Sequence, residues 1–231
     1  MIINIISPNR INRDIELSNE MKNHFDIPIN HAHTILNQIN GGMYSLWFEG
    51  KKDLVCMDFG ANVGLVSLYM TPACKRIYCV EPTPSHYALM KGLLQANNGE
   101  TEIMLSDFAL TEKEEEVIFA TGHATENKIT SEGGYGNNKI TVQGKPLSWF
   151  LNDIGEVVDF CKVDIEGGEI FALTEEELRF AHGKVKVFFV EAHPSNNYSM
   201  DSCMGALTNR FKAAGYRVEY SDYQTIVAYE S

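Results

Sequence analysis

The chain has 231 residues, 44% of them hydrophobic, enough for one sizeable core. Its formal net charge is −12, which argues against non-specific nucleic-acid binding and against docking on anionic membranes, since both call for basic surfaces. The five cysteines form no CxxC pair, and their odd number argues against a disulfide framework. Cys56, Cys79 and Cys161 sit in apolar runs and read as buried thiols in a reducing compartment. The apolar start, Ile2 to Ile6, lacks a basic flank and is interrupted by Asn4, and no run approaches the ~18 apolar residues of a membrane span. The expectation is a cytoplasmic protein with no membrane partner.

Residues 1–50 show no strand–helix alternation. A helix start near Asn30 and a stop at Gly41-Gly42 suggest an N-terminal helical extension capping a main domain at 51–231. From Asp53 the pattern is regular. A buried strand at 54–59 leads to a helix at 62–70, closed by Thr71-Pro72. A strand at 76–80 precedes a helix with Thr83 as N-cap and Pro84 at its first position, with Tyr87, Met90 and Leu94 on one face and Asn97-Asn98-Gly99 at its end. A strand at 101–105 follows. Val117–Phe119 and Lys139–Val142 are expected to pair outside the main sheet, around a glycine-rich segment (121–139) that reads as either a lid or a surface loop. A strand at 158–164, a capping box at Thr174/Glu177, a strand at 185–191 and a helix at 200–214 come next. Two closing strands, 216–220 and 224–229, must be antiparallel, completing an α/β domain.

The strand–turn–helix at Asp58-Phe59-Gly60-Ala61-Asn62-Val63-Gly64 places backbone amides and a helix start at the carboxyl end of a strand, where open α/β sheets bind ligands. A dinucleotide fingerprint beginning at Gly60 would need glycines at 62 and 65, where Asn62 and Leu65 stand, and no Gly-Lys-Ser/Thr follows. The ligand therefore lacks a closely held pyrophosphate. Five predicted strands end at acids: Asp58, Glu81, Asp107, Asp164 (with Glu166 next) and Glu191 (with His193 following). Glu81 lies 23 residues after Asp58, near the spacing of a ribose-binding acid. A carboxylate can accept from both hydroxyls of a diol. A glycine turn, a ribose acid and no close-approach glycine point to S-adenosylmethionine (SAM) ahead of NAD.

Asp-Phe-Gly-Ala-Asn-Val-Gly (58–64), Val-Glu-Pro-Thr-Pro (80–84), Phe-Ala-Leu-Thr-Glu-Lys-Glu-Glu-Glu-Val (108–117) and Lys-Val-Asp-Ile-Glu-Gly-Gly-Glu (162–169) resemble, in order and spacing, the FkbM family of SAM-dependent methyltransferases. The resemblance covers roughly 53–195. Gly168 stands where the family often has Ala, and Ala192-His193-Pro194 matches the family's Glu-Ile-His only loosely. The resemblance implies a Rossmann-like class I fold: a seven-stranded, mostly parallel sheet with an antiparallel C-terminal hairpin and helices on both faces. It further implies that Gly60, Ala61, Asn62 and Gly64 shape the methionine end of a SAM site. Glu81 would hold the ribose, Asp107 and Phe108 would flank the adenine, and Asp58 and Pro82 belong to the same cofactor motifs.

Asp164 would lie nearest the transferred methyl. The implied reaction is O-methylation of a hydroxyl on a small molecule or carbohydrate by in-line displacement, with Asp164 and then His193 as candidate bases. Lys162 is a candidate partner for one of these acids, and Glu166 and Glu169 read as loop-holding or helix-starting acids. Asp164, Glu191 and His193 also admit Mg²⁺ or Mn²⁺, although no metal ligand is assigned. Two alternatives stand beside this reading. An NAD-linked oxidoreductase is disfavoured by the missing glycines, and a non-catalytic SAM- or nucleoside-binding module is separated from an enzyme by whether an acceptor site exists.

Overall fold

The computed structural model describes residues 2–6, 12–16, 29–121, 128–129, 138–195 and 197–230. The chain divides into two compact units, 1–106 and 107–231, so the expected boundary at 50/51 lies inside the first unit. Seven strands form a mostly parallel sheet with an antiparallel C-terminal pair.

In the first unit, β1 (Ile2–Ile6) and β2 (Asn12–Glu16) pair antiparallel with Ile2 opposite Glu16. The extension expected to be helical thus opens as a hairpin, because the β-branched run Ile2, Ile3, Ile5, Ile6 favours a strand. Helices α1 (Ile29–Asn40) and α2 (Ser45–Phe48) follow. Then come β3 (Leu54–Phe59), α3 (Leu65–Met70), a 3-10 turn (Thr71–Ala73), β4 (Cys74–Val80), α4 (Pro84–Asn97) and β5 (Glu102–Ser106).

β3, β4 and β5 are parallel neighbours in that order, with Asp58 beside Cys79 and Val80 beside Ser106. Every β3 residue after Leu54 is buried, as a strand covered on both faces requires. α3 starts three residues later than expected. Asn62 (φ 51°) and Gly64 (φ 87°) are left-handed, which a helix cannot include. The buried face of α4 is His86, Met90, Leu93 and Leu94, at i, i+4, i+7 and i+8. Tyr87, expected on that face, is half-buried.

In the second unit, β6 (Ala109–Leu110), β7 (Glu115–Thr121), β8 (Lys128–Ile129) and β9 (Asn138–Lys145) form a separate four-stranded sheet. Val117 pairs with Val142 in the antiparallel β7–β9 ladder, and Ala109, Val117 and Phe119 make a small core with Ile140 and Val142. Residues 122–127 and 130–137 of the glycine-rich segment lie outside the described residues. Next come α5 (Leu147–Ile154), β10 (Phe160–Val163), α6 (Glu169–Ala172), α7 (Glu175–Ala181), β11 (Val187–Glu191), α8 (Met200–Ala213), β12 (Tyr216–Tyr220) and β13 (Thr225–Glu230). Within this unit the strand order is β12-β13-β11-β10, with β10 and β11 parallel and β13 antiparallel to both its neighbours.

Half of the expected capping box forms. Thr174 Oγ1 accepts from Glu177 N at 3.2 Å. The Glu177 carboxylate instead accepts from Ser148 N (2.6 Å) and Ser148 Oγ (2.9 Å), tying α7 to α5. All five cysteines are free and buried. No helix among the described residues is long and apolar enough to cross a membrane.

Candidate active site

β3 ends on Asp58, which is fully buried, and its Oδ2 accepts from Ser67 Oγ at 2.6 Å, locking α3 to the strand beneath the turn. The amides of Gly60 and Ala61 both donate to Val80 O (3.0 and 3.1 Å). The amide of Asn62 donates to Glu81 Oε2 at 2.9 Å, and that of Gly64 to Ala61 O at 2.8 Å. Four amides of the turn are therefore used inside the fold rather than presented to an anion. Gly64 is required twice over: its φ is left-handed, and a Cβ there would lie 3.0 Å from Met90 Cγ and 3.3 Å from Leu94 Cγ. It lets α3 close on α4.

Glu81 follows β4 and is buried. Its Oε2 takes Asn62 N–H, its Oε1 takes Thr83 N–H at 2.8 Å, and the Thr83 hydroxyl also bonds to the carboxylate. Thr83 thus occupies the N-cap position of α4 with its side chain turned to Glu81, and it makes no cap bond. A carboxylate has about four lone-pair sites, so these three donors leave about one for a ligand. The expectation of a carboxylate open to both hydroxyls of a diol thus meets one largely used inside the fold. Burial raises its pKa, opposed by the bonds from Thr83 and Asn62, and Asp58 adds to the rise. Pro82 beside it is half-buried.

In the second unit the chain leaves β10 through Asp164-Ile165-Glu166-Gly167-Gly168, with Glu166 (φ 56°) and Gly167 (φ 97°) left-handed. A Cβ on Gly167 would lie 3.2 Å from Pro194 O, so only glycine allows this loop to run beside the segment after β11. Buried Glu169 folds the loop onto the start of α6: Oε1 accepts from Ile165 N (2.8 Å) and Oε2 from Gly167 N (3.0 Å). Its Oε1 also lies 3.1 Å from His193 Nδ1. His193 Nε2 then faces Asp164 Oδ1 at 3.9 Å and Glu166 Oε2 at 3.8 Å.

Buried Lys162 holds the other oxygen of Asp164, Nζ to Oδ2, at 3.2 Å. Burial works against a charge on His193, but Glu169, Asp164 and Glu166 outweigh it and hold the imidazole's pKa up at about 9. Glu191, expected to face the same group, is tied to Gln224 Nε2. Burial and then Asp164 push its pKa up, against Lys162, His193 and Gln224. The structure therefore gathers Asp164, Glu166, Glu169 and His193, with Lys162 behind Asp164. Glu166 takes the place beside His193 that sequence reading gave to Glu191.

Asp107 is exposed and Phe108 half-buried. Phe108 packs edge-on to Trp149 (centroids 5.3 Å apart), and Lys145 Nζ lies 5.6 Å from the Phe108 ring and 5.1 Å from that of Trp149. Sequence reading singled out neither Trp149 nor Lys145. Trp149 sits on a two-turn helix whose apolar run is too short to announce a period.

A SAM-dependent methyltransferase from Agrobacterium tumefaciens superposes with a TM-score of 0.50 at 10% identity, over 84% of this chain and 62% of its own. A methyltransferase from Geobacter sulfurreducens gives 0.49 at 12% identity, over 93% of this chain and 89% of its own. Precorrin-6y C5,15-methyltransferase from Geobacter metallireducens gives 0.47 at 15% identity, over 80% and 85%. No curated protein matches the chain. The fold is that of the class I SAM-dependent methyltransferases. The model of the methyltransferase FkbM domain matches residues 58–218, from the glycine turn through β12. The chain belongs to the FkbM methyltransferase family.

Proposed function

We propose that the protein transfers the methyl of SAM to a hydroxyl of a small molecule or sugar. The observation that carries this reading, within a methyltransferase family, is the half-exposed group of Asp164, Glu166 and His193 at the ends of β10 and β11. On the donor side, the family motifs give the Gly60–Gly64 turn to the methionine end and Glu81 to one ribose hydroxyl.

The sulfonium methyl is already activated, so the protein's task is alignment of acceptor oxygen, carbon and sulfur. The O–C bond forms as the C–S bond breaks, S-adenosylhomocysteine leaves, and the hydroxyl's proton must go to a base. Asp164 is first in line to take it. His193, held at Nδ1 by Glu169, faces Asp164 and orients it.

Calorimetry with SAM and with NAD should give heat for SAM only. Incubation with methyl-labelled SAM and a panel of glycosides, small alcohols and amines should put label into an ether. Label found only on nitrogen, or tight NAD binding, overturns the reading.

A further inference from the structure

We infer that Asp164, Glu166 and His193 form a binding site for one divalent cation of the Mn²⁺ or Mg²⁺ kind. Each residue offers one ligand atom, and the three atoms lie within 4.8 Å of one another. Neighbouring ligands around an octahedral ion with ~2.1 Å bonds stand about 3 Å apart. The observed 3.8 and 3.9 Å gaps from His193 Nε2 to the two carboxylates therefore close with side-chain adjustments under about 1 Å.

The outer contacts distinguish this group from an ordinary acidic patch. His193 is held at Nδ1 by buried Glu169, which leaves Nε2 for the group's centre. Asp164 is held at Oδ2 by buried Lys162, which leaves Oδ1 for the same centre. Buried partners that fix the outer atom and aim the inner one are how proteins support metal ligands. Glu169 also anchors the loop that carries Asp164 and Glu166, through the amides of Ile165 and Gly167.

Charge points the same way. Four carboxylates (Asp164, Glu166, Glu169, Glu191) converge on one lysine and one imidazole, and a divalent ion offsets the excess. Two carboxylates with one imidazole suit Mn²⁺ and Mg²⁺ better than the thiolate-preferring metals. The ligand side chains are 20–27% exposed, which leaves coordination positions open to water or a hydroxyl. When bound, such an ion supplies Lewis-acid polarisation of that oxygen. Ion binding needs neither SAM nor acceptor, so the inference stands or falls apart from the methyl-transfer reading.

The test is titration of the chelator-stripped full chain with Mn²⁺, following free Mn²⁺ by electron paramagnetic resonance. One Mn²⁺ per chain is expected, displaced by excess Mg²⁺. Glu166→Gln and His193→Ala should each weaken binding by roughly tenfold or more. Glu116→Gln, on the exposed face of β7 beside Gln143, should leave it unchanged. Circular dichroism checks folding. If His193→Ala does not fold, Glu166→Gln decides alone, because its side chain is on the half-exposed loop. No bound Mn²⁺ in the unaltered protein, or equal binding by the folded variants, overturns the site.

Discussion

Replacing Glu81 with alanine tests the joint between the glycine turn and β4. The carboxylate takes the amides of Asn62 (2.9 Å) and Thr83 (2.8 Å) at a buried position. Hydrogen bonds to a charged group contribute about 1.5–3 kcal/mol each, so losing the two amide bonds alone removes roughly 3–6 kcal/mol. Relief of the buried carboxylate, whose pKa is raised mainly by that burial, offsets part of this. A net loss of about 2–4 kcal/mol follows, or roughly 5–15 °C in melting temperature for a chain of this size. Glu81→Gln keeps one acceptor and should lose about half as much.

Urea and thermal denaturation measure the stability term. Calorimetry with SAM on the folded variants measures the ligand term, where loss of one ribose bond should weaken binding by about 1–3 kcal/mol. Melting within about 1 °C of the unaltered protein would refute the pinning of Asn62, since that is below the shift for 1 kcal/mol. A clear loss of stability with unchanged SAM affinity would leave Glu81 a turn anchor and remove it from the ribose.

Three further outcomes follow from the same structure. Gly64→Ala should destabilise by about 2–4 kcal/mol, from left-handed strain together with overpacking against Met90 and Leu94, and a near-neutral thermal shift would refute the close packing of α3 on α4. Glu169→Gln should lose about 1–3 kcal/mol in urea denaturation, because one of its three donors loses its acceptor, and an unchanged midpoint would show that the loop after β10 does not depend on it. Tyr69, buried against Tyr44 and Phe48, has its hydroxyl raised from 10.0 to about 12 by burial and then by Glu49. The native state keeps this proton longer than the unfolded chain, so the stabilisation is complete below about pH 10 and is lost as pH rises through about 12. Tyr69→Phe should therefore lose less stability than the unaltered protein between pH 9 and pH 11.5 in urea titrations, on the order of the 1.4 kcal/mol per pH unit limit, and parallel losses would refute the assignment.

The order of elements in the α/β region was readable from the chain because each signal is local. A buried strand needs a continuous apolar run, a left-handed turn favours glycine or asparagine, and a helix start wants Thr or Ser, so β3, the Gly60–Gly64 turn and the Thr174 cap announce themselves. The four motifs carried the family, since their residues lie within short windows. The N-terminal hairpin did not stand out from its first six residues, because Asn4 and the polar stretch after Ile6 mask an isoleucine-rich strand whose partner lies beyond them.

Partnership was not readable, because hydrogen bonds and charge pairs depend on where loops return. Sequence placed Glu81 for a ribose diol, but tertiary structure fills most of its lone pairs with Asn62 and Thr83. Sequence put Glu191 beside His193, but β13 brings Gln224 to Glu191, and Glu169 turns the imidazole towards Asp164 and Glu166. Local patterning determined the glycine turn and the acids at the strand ends. The reach of buried Glu169 and Lys162 decided which of those acids share a centre, because a side chain's free atoms are those its neighbours leave unbound.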